Sequence, residues 1–317
     1  MRTFSPLAAL TVFAAFSTVT WAQDAVDAET AAPPLPAAGS QAATKLLDTG
    51  IDKMLAVGRG MFRTTTTRDA ATFRGADFPF AKNAPVVQGG WRQDFVWGDI
   101  DGAAFARHRG RTIARLGDTW KLRAERLADG RELPFVVDPE LLFTVLRELP
   151  AAARAIAHVD RGTVGERRVT ILTLSLTHDA AEDVAESGAI PPAVEPGLGG
   201  VFVFGGVLPK QPRAERELHV ALHVDPDNGD VLQLGVKLYE KNPQFARVFA
   251  ARAKAANDDD DEGEQKDVPT PPWQDGLPTR EPAADESVLT FVVEFPKLGL
   301  AELPELDDHA KQLLRLR

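Results

Sequence analysis

His219 and His223 stand four residues apart, the interval at which two imidazoles grip one metal ion from a single helical turn. They alternate, however, with Leu218, Val220, Leu222 and Val224, a period of two that belongs to a strand. On a strand four residues span about 13 Å at ~3.3 Å each, so the two rings share a face without sharing an ion. They read as exposed strand histidines. The run Asp225 to Asp230 has the oxygens of a calcium loop, but Gly229 falls one position early and Val236 stands where a bidentate glutamate is required. It reads as a hairpin turn. Gly197-Leu198-Gly199-Gly200 and Gly205-Gly206 have the composition of a phosphate cradle without its strand-before, helix-after setting. They bracket Val201-Phe202-Val203-Phe204, which reads as a short buried strand, or functionally as an apolar flap over a cavity.

Nucleophiles are equally sparse. Beyond residue 41 serine occurs only at 175, 187 and 287, none inside a Gly-x-Ser-x-Gly elbow. His178 and Asp179 adjoin, but a triad is defined by spatial roles and no serine partner is indicated. The chain holds no cysteine, which removes thiol chemistry, disulfides, cysteine-ligated metal and lipidation at a lipobox cysteine. No catalytic residue, no metal ligand and no cofactor follow from these residues. A hydrolase built from dispersed carboxylates stays as an alternative without named candidates.

The tryptophans are more informative as a group. Trp91, Trp97 and Trp120, with Phe95 and Phe105 nearby, fall in one strand-rich region. Large rings on strands fill a core or line an apolar pocket, and the sequence leaves both readings open. The candidate ligand-contacting set is therefore Trp91, Trp97, Phe105, Trp120, Phe202 and Phe204.

The elements that must position these rings are legible from periodicity and turn chemistry. Leu46, Leu47, Ile51, Met54 and Leu55 recur at helical spacing over 42–57, with Gly58 and Gly60 as a stop. Strand-prone runs follow at 62–73, 88–97, 103–109, 112–116 and 119–126, joined by short polar breaks that make a meander antiparallel. Asp138-Pro139-Glu140 opens a helix whose stripe is Leu141, Leu142, Val145, Leu146 and Leu149. A second short helix is expected over 151–158, a strand over 163–177 and a short helix over 180–186. The clearest element is the hairpin 218–238, alternating on both arms around Asn228-Gly229, with one wet face. Residues 287–295 read as a last strand and 300–316 as a terminal helix or partial helix, packed on the same sheet. The fold class is α+β: a curved antiparallel β-sheet, half-barrel-like, covered on one face by helices.

Compartment and organisation come from composition. Arg2, the apolar run 6–19 and the small residues Thr20 and Ala22 have the layout of a secretory signal peptide cleaved after Ala22, too short for a ~20-residue membrane span. Residues 23–41, rich in Ala and Pro, read as a disordered tether; 42–252 as the α+β domain; 253–285 as an acidic, Pro-rich linker containing Asp258–Asp261, Glu262 and Glu264; and 286–317 as a terminal strand and helix on the same domain. A net charge of −10 argues against nucleic acid as a partner. The expectation is an exported, periplasmic or cell-envelope protein, not integral to the membrane once the signal is removed.

Several local patterns then make a resemblance: Gly89-Gly90-Trp91, the strand pair Arg111-Thr-Ile-Ala-Arg115 and Trp120-Lys-Leu-Arg123, Asp138-Pro-Glu-Leu-Leu142, Gly165-Glu-Arg-Arg-Val-Thr170, and the closing Val224-Asp-Pro…Gly229-Asp-Val-Leu232 hairpin. Over residues 42–240 the chain resembles the superfamily of outer-membrane lipoprotein carriers, their envelope-stress sensor relatives and the mycobacterial lipoprotein-type lipid carriers. The resemblance implies a curved sheet with helices over its concave side and an apolar cavity for acyl chains, hence a carrier or sensor for lipid or lipidated partners. The acidic segment 253–285 with the strand and helix after it, and the missing lipobox cysteine, depart from that pattern. No functional residue transfers individually. The leading expectation is a non-catalytic envelope protein holding an apolar ligand between sheet and helices; the alternative is a structural or interaction module of the envelope.

Overall fold

A computed structural model describes residues 34–70, 86–100, 102–122, 137–190, 215–241, 276–280, 283 and 286–316. Eleven strands form one sheet: β1 (Arg59–Ala70), β2 (Val87–Arg92), β3 (Phe95–Ile100), β4 (Ala103–His108), β5 (Arg111–Leu116), β6 (Thr119–Leu122), β7 (Ile156–Val164), β8 (Arg167–Leu176), β9 (Glu215–Val224), β10 (Val231–Lys241) and β11 (Glu286–Leu298). Their order is β6-β5-β4-β3-β2-β1-β11-β10-β9-β8-β7, and every pairing is antiparallel. The last strand in the chain is thus inserted between β1 and β10. It joins the early meander to the later hairpins.

Among the described residues four helices accompany the sheet: α1 (Gln41–Val57), α2 (Pro139–Glu148), α3 (His178–Glu186) and α4 (Asp308–Leu314). Ser40 caps α1, its hydroxyl accepting from the Ala43 N–H at 3.2 Å, and Gly58 ends it in the left-handed conformation with its N–H on the Met54 carbonyl. Asp138 caps α2 by accepting from the Leu141 N–H at 3.1 Å, with Pro139 at the first helical position. The apolar faces of α1, α2 and α3, led by Leu47, Ile51, Leu142, Leu146 and Val184, are buried against one side of the sheet. The α+β architecture with an open antiparallel sheet and α1, α2 and α3 on one face is as expected, whereas α4 packs on the other face.

Several boundaries differ from expectation. The run 88–97 is two strands, because Gln93 and Asp94 make a tight turn with Gln93 at φ 51°. The expected helix over 151–158 is a single turn followed by β7: beyond Arg154 the chain gains more from pairing with β8 than a short isolated helix offers. Gly165, at φ 61°, makes the turn from β7 into β8 that a continuous strand over 163–177 did not include. The terminal helix is confined to Asp308–Leu314, where Asp307 caps it through the Ala310 N–H at 2.7 Å.

The hairpin 218–238 stands in the expected register, Leu222 opposite Leu234 and Leu218 opposite Leu238, but its outer face is not wet. His223, Gln233, Lys237 and Tyr239 on that face are buried, and His219 is largely covered. The reading of both histidines as exposed is corrected. Part of the cover is Gly276–Arg280, which lies against this face with Leu277 packed among Val169, Ile171, Ala221 and Leu232. The chain approaches so closely there that a Cβ at Gly235 would meet Leu277 at 3.1 Å.

Candidate functional site

The helix-facing side of the sheet is a continuous apolar layer. Trp91 on β2 and Phe105 on β4, both from the ligand-contacting set, are buried in it with Phe62, Phe143 and Phe295. Trp91 meets Phe295 edge-on at 5.5 Å and Phe62 at 6.4 Å, and Phe143 meets Phe295 at 5.8 Å. The described polar side chains buried on this side are threonines (Thr64, Thr112, Thr170), whereas buried Lys237, Glu286 and His223 belong to the opposite side. The segregation is what a surface meant for hydrocarbon requires, since an isolated charge there would have to be desolvated without compensation.

The closest strand approach among the described glycines lies between β2 and β3. Gly89 and Gly98 pair across β2 and β3 on the helix-facing side. A Cβ on Gly89 would lie 1.9 Å from the Trp97 carbonyl oxygen, and one on Gly98 would lie 2.0 Å from that of Gln88. Only residues without a side chain let the strands close so tightly and curl the sheet toward the helices.

Trp97 and Trp120 lie elsewhere. They occupy the other side of the sheet, in a separate cluster with Phe95, Ile113 and the α4 residues Ala310 and Leu314. Helix α4 is tied down there by its exposed carbonyls: Arg111 Nε donates to Leu313 O at 2.9 Å, and His108 Nδ1 lies 3.2 Å from Leu314 O. Phe202 and Phe204 are outside the described residues. The six rings named from the sequence therefore do not converge: two line the helix-facing layer and two pack beneath α4.

A polar constellation escaped the sequence reading. Arg280 is clasped by Glu286, at 2.6 and 3.0 Å, and by Glu217 at 2.8 Å, while its guanidinium stacks on Tyr239. Tyr239 donates toward the Pro278 and Arg280 carbonyls at 3.4 and 3.3 Å, and Lys237 donates to Pro278 O. The hydrogen bond from Arg280 lowers the Glu286 pKa. Burial opposes the Glu217 carboxylate, yet hydrogen bonds from Arg280 and His219 outweigh it and leave that pKa lowered too. Burial pushes the Tyr239 phenol up to about 12. The constellation lines a cleft of about 670 Å³ at the strand ends, with His178, Arg216 and Lys241 on its rim. Its charges are mutually satisfied: Lys241 meets Glu215 at 3.6 Å and Arg216 meets Glu240 at 3.1 Å. This is an anchor for the returning chain. The only sequence signal was the alternation that put Glu217, Lys237 and Tyr239 on one side of the hairpin.

A second cleft, about 550 Å³, runs between the β2–β3 and β4–β5 turns and the C-terminal segment, lined by Arg92, Asp94, Arg109, Leu303, Leu306 and Lys311 among others. Asp94 binds Arg109 at 2.7 Å, which holds its carboxyl below the ordinary range. Near Asp94, burial raises the pKa of Asp138, and burial together with Asp138 and Asp94 raises that of Glu140. Among the described residues no three histidine or carboxylate side chains converge on a metal-sized site. No helix among them is long and apolar enough to cross a membrane.

The architecture defines a class: an α+β protein in which a curled antiparallel sheet is lined with apolar side chains under three helices. No family model matches the sequence and no curated protein matches it. Among solved structures two mycobacterial proteins are matched, the first of them a lipoprotein. LppX of Mycobacterium tuberculosis is 8% identical, with 84% of this chain and 98% of LppX covered at a TM-score of 0.36. LprF of Mycobacterium bovis is 9% identical, with 85% and 99% covered at 0.38. The Pseudomonas aeruginosa MucA/MucB complex is matched at 14% identity over 64% of this chain and 52% of that one, at 0.21. At such identities the likeness concerns the fold alone.

Proposed function

We propose that the chain is a non-catalytic cell-envelope protein that holds an apolar ligand, such as a lipid, an acyl chain or a lipidated partner, between the sheet and helices α1–α3. The observation that carries this reading is the segregation of side chains. Every described strand residue that is charged and fully buried lies away from the helices, and the helix-facing side offers hydrocarbon, aromatic rings and a few hydroxyls, with the partly exposed Arg107, Arg216 and Glu240 as its charged exceptions. Apolar ligands are held by such linings with few polar groups. Export through a signal peptide at residues 1–22, and contacts to ligand from Trp91 and Phe105, belong to the same proposal. Trp97, Trp120, Phe202 and Phe204 are the remaining members of the original set; the first two would serve α4 rather than ligand. Organic-solvent extraction of the purified chain followed by mass spectrometry tests the proposal. A stoichiometric lipid is expected, with displacement of a fluorescent fatty acid by the extract; a clean extract and no displacement would remove it.

The close packing of the described side chains in the same layer favours a second reading, a structural or interaction module of the envelope. In that case pull-down from an envelope fraction recovers one stoichiometric protein partner and the extract contains no lipid.

A further inference from the structure

Thr64 interrupts a row that is otherwise aliphatic. Reading across the sheet through the strand registers, Ile100, Val87, Thr64, Val293, Leu234, Leu222 and Leu172 are successive directly opposed partners on β3, β2, β1, β11, β10, β9 and β8. Directly opposed residues of an antiparallel pair project to the same side. The six partners all belong to the layer beneath α1–α3, so Thr64 projects there too. Its side chain is 1% exposed, and its hydroxyl has no hydrogen-bond partner among the described residues.

A hydroxyl buried in this way is a liability. Leaving it unsatisfied costs about 1–3 kcal/mol, while valine, with the same branched shape, would fill the position at no such cost. Valine already stands on either side of it in the row, at 87 and 293. A polar group kept at the middle of an apolar face, unpaired by any described neighbour, is matched best by something that enters the layer with an oxygen to offer.

We propose that Thr64 Oγ1 is the polar contact of the layer, and that the ligand is an acyl chain carrying a carbonyl oxygen along its length, an ester or amide rather than bare hydrocarbon. The proposal rests on the apolar-ligand reading and narrows it. The hydroxyl donates to the ligand carbonyl while the chain on either side lies over the aliphatic row. The same contact fixes the depth at which the ligand sits, because a sliding chain would lose its one hydrogen bond.

The test uses the full chain and two probes matched in length: dipalmitoylglycerol, which has two ester carbonyls, and its dihexadecyl ether analogue, which has none. Each competes against a bound fluorescent fatty acid. Wild type is expected to prefer the ester by about tenfold, the difference one net hydrogen bond makes. Thr64→Val should remove that preference by weakening ester binding alone, and Thr64→Ser should keep it. Thr64→Val should also unfold no earlier than wild type when both are free of ligand. If wild type binds both probes and Thr64→Val changes neither, the hydroxyl has no such role and the inference falls while the carrier reading stands. If wild type binds neither probe, the carrier reading falls and takes the inference with it.

Discussion

The Arg280 guanidinium lies over the ring of Tyr239, 3.6 Å from its centroid, while two carboxylates hold its edges. A planar cation on an aromatic face, fixed by bidentate carboxylate, is a low-mobility arrangement. It fastens Gly276–Arg280 to β9, β10 and β11 at once. Tyr239 is the one tyrosine in the chain, so its behaviour can be read without interference.

Ultraviolet titration of the phenol should therefore show Tyr239 ionising at about 12 in the folded protein, and near the ordinary value of 10.0 once the chain is unfolded in denaturant. Burial favours the neutral phenol in the fold. The unfolded chain loses its proton first, so the stability linked to this group is complete below pH ~10 and declines as pH rises from there toward about 12. An early rise in phenolate absorbance while circular dichroism is still native would contradict the buried, stacked ring.

Gly89→Ala should be among the most damaging single substitutions available. Its new methyl group would overlap the Trp97 carbonyl, an atom of the neighbouring backbone with no rotamer to change. A loss of at least about 3 kcal/mol is expected, the upper part of the range for single substitutions. Gly117→Ala is the control: open space surrounds it, and only the positive φ of 61° resists, for roughly 1–2 kcal/mol. Chemical denaturation of the two variants separates steric closure from backbone strain.

Asp138→Asn should flatten part of the acid-range stability profile. Asparagine keeps the cap on α2 but has no carboxylate to desolvate. Since burial raises the folded pKa of Asp138, wild type loses stability as pH rises from the unfolded value of about 3.8 through that raised value. The stability of the asparagine variant relative to wild type should accordingly increase from pH 3 toward neutrality. Glu217, Asp225 and Glu286 have lowered pKa values and act with the opposite sign, but they are present in both proteins and cancel in the difference. Paired denaturation curves measure it; a difference that stays constant with pH would refute the buried carboxyl.

Brominated acyl chains quench nearby indoles, which gives the two sides of the sheet different signatures. Trp91→Phe should abolish most of the ligand-dependent quenching, whereas Trp97→Phe and Trp120→Phe should leave it in place, because those rings pack under α4. Quenching that survives Trp91→Phe and disappears with Trp97→Phe would move the ligand to the opposite side.

Local chemistry carried the sequence reading a long way. The Asp138-Pro139 start, the Gly58 stop and the 218–238 register depend on residues close in sequence, and all three stand where periodicity put them. The insertion of β11 between β1 and β10 depends on partners far apart in the chain, which no local pattern encodes. The tryptophans show the same limit. Trp91 and Trp97 are six residues apart, a separation that keeps one side of a continuous strand, but the turn at Gln93–Asp94 reverses the chain and puts them on opposite sides. Arg280 and Thr64 were invisible for a related reason: each matters through registers and packing that only the assembled sheet creates.

The central position of β11 has a consequence for how the molecule comes into being. During synthesis the β1–β6 ribbon and the β7–β10 ribbon are complete long before residues 286–298 leave the ribosome, and neither has its inner neighbour. Until then β1 and β10 each present an unpaired edge in the middle of what will become one surface, open to pairing with each other or with other chains. The final strand acts as a keystone, and a nascent chain that must wait for it has reason to be kept unfolded, or chaperoned, until its end is available.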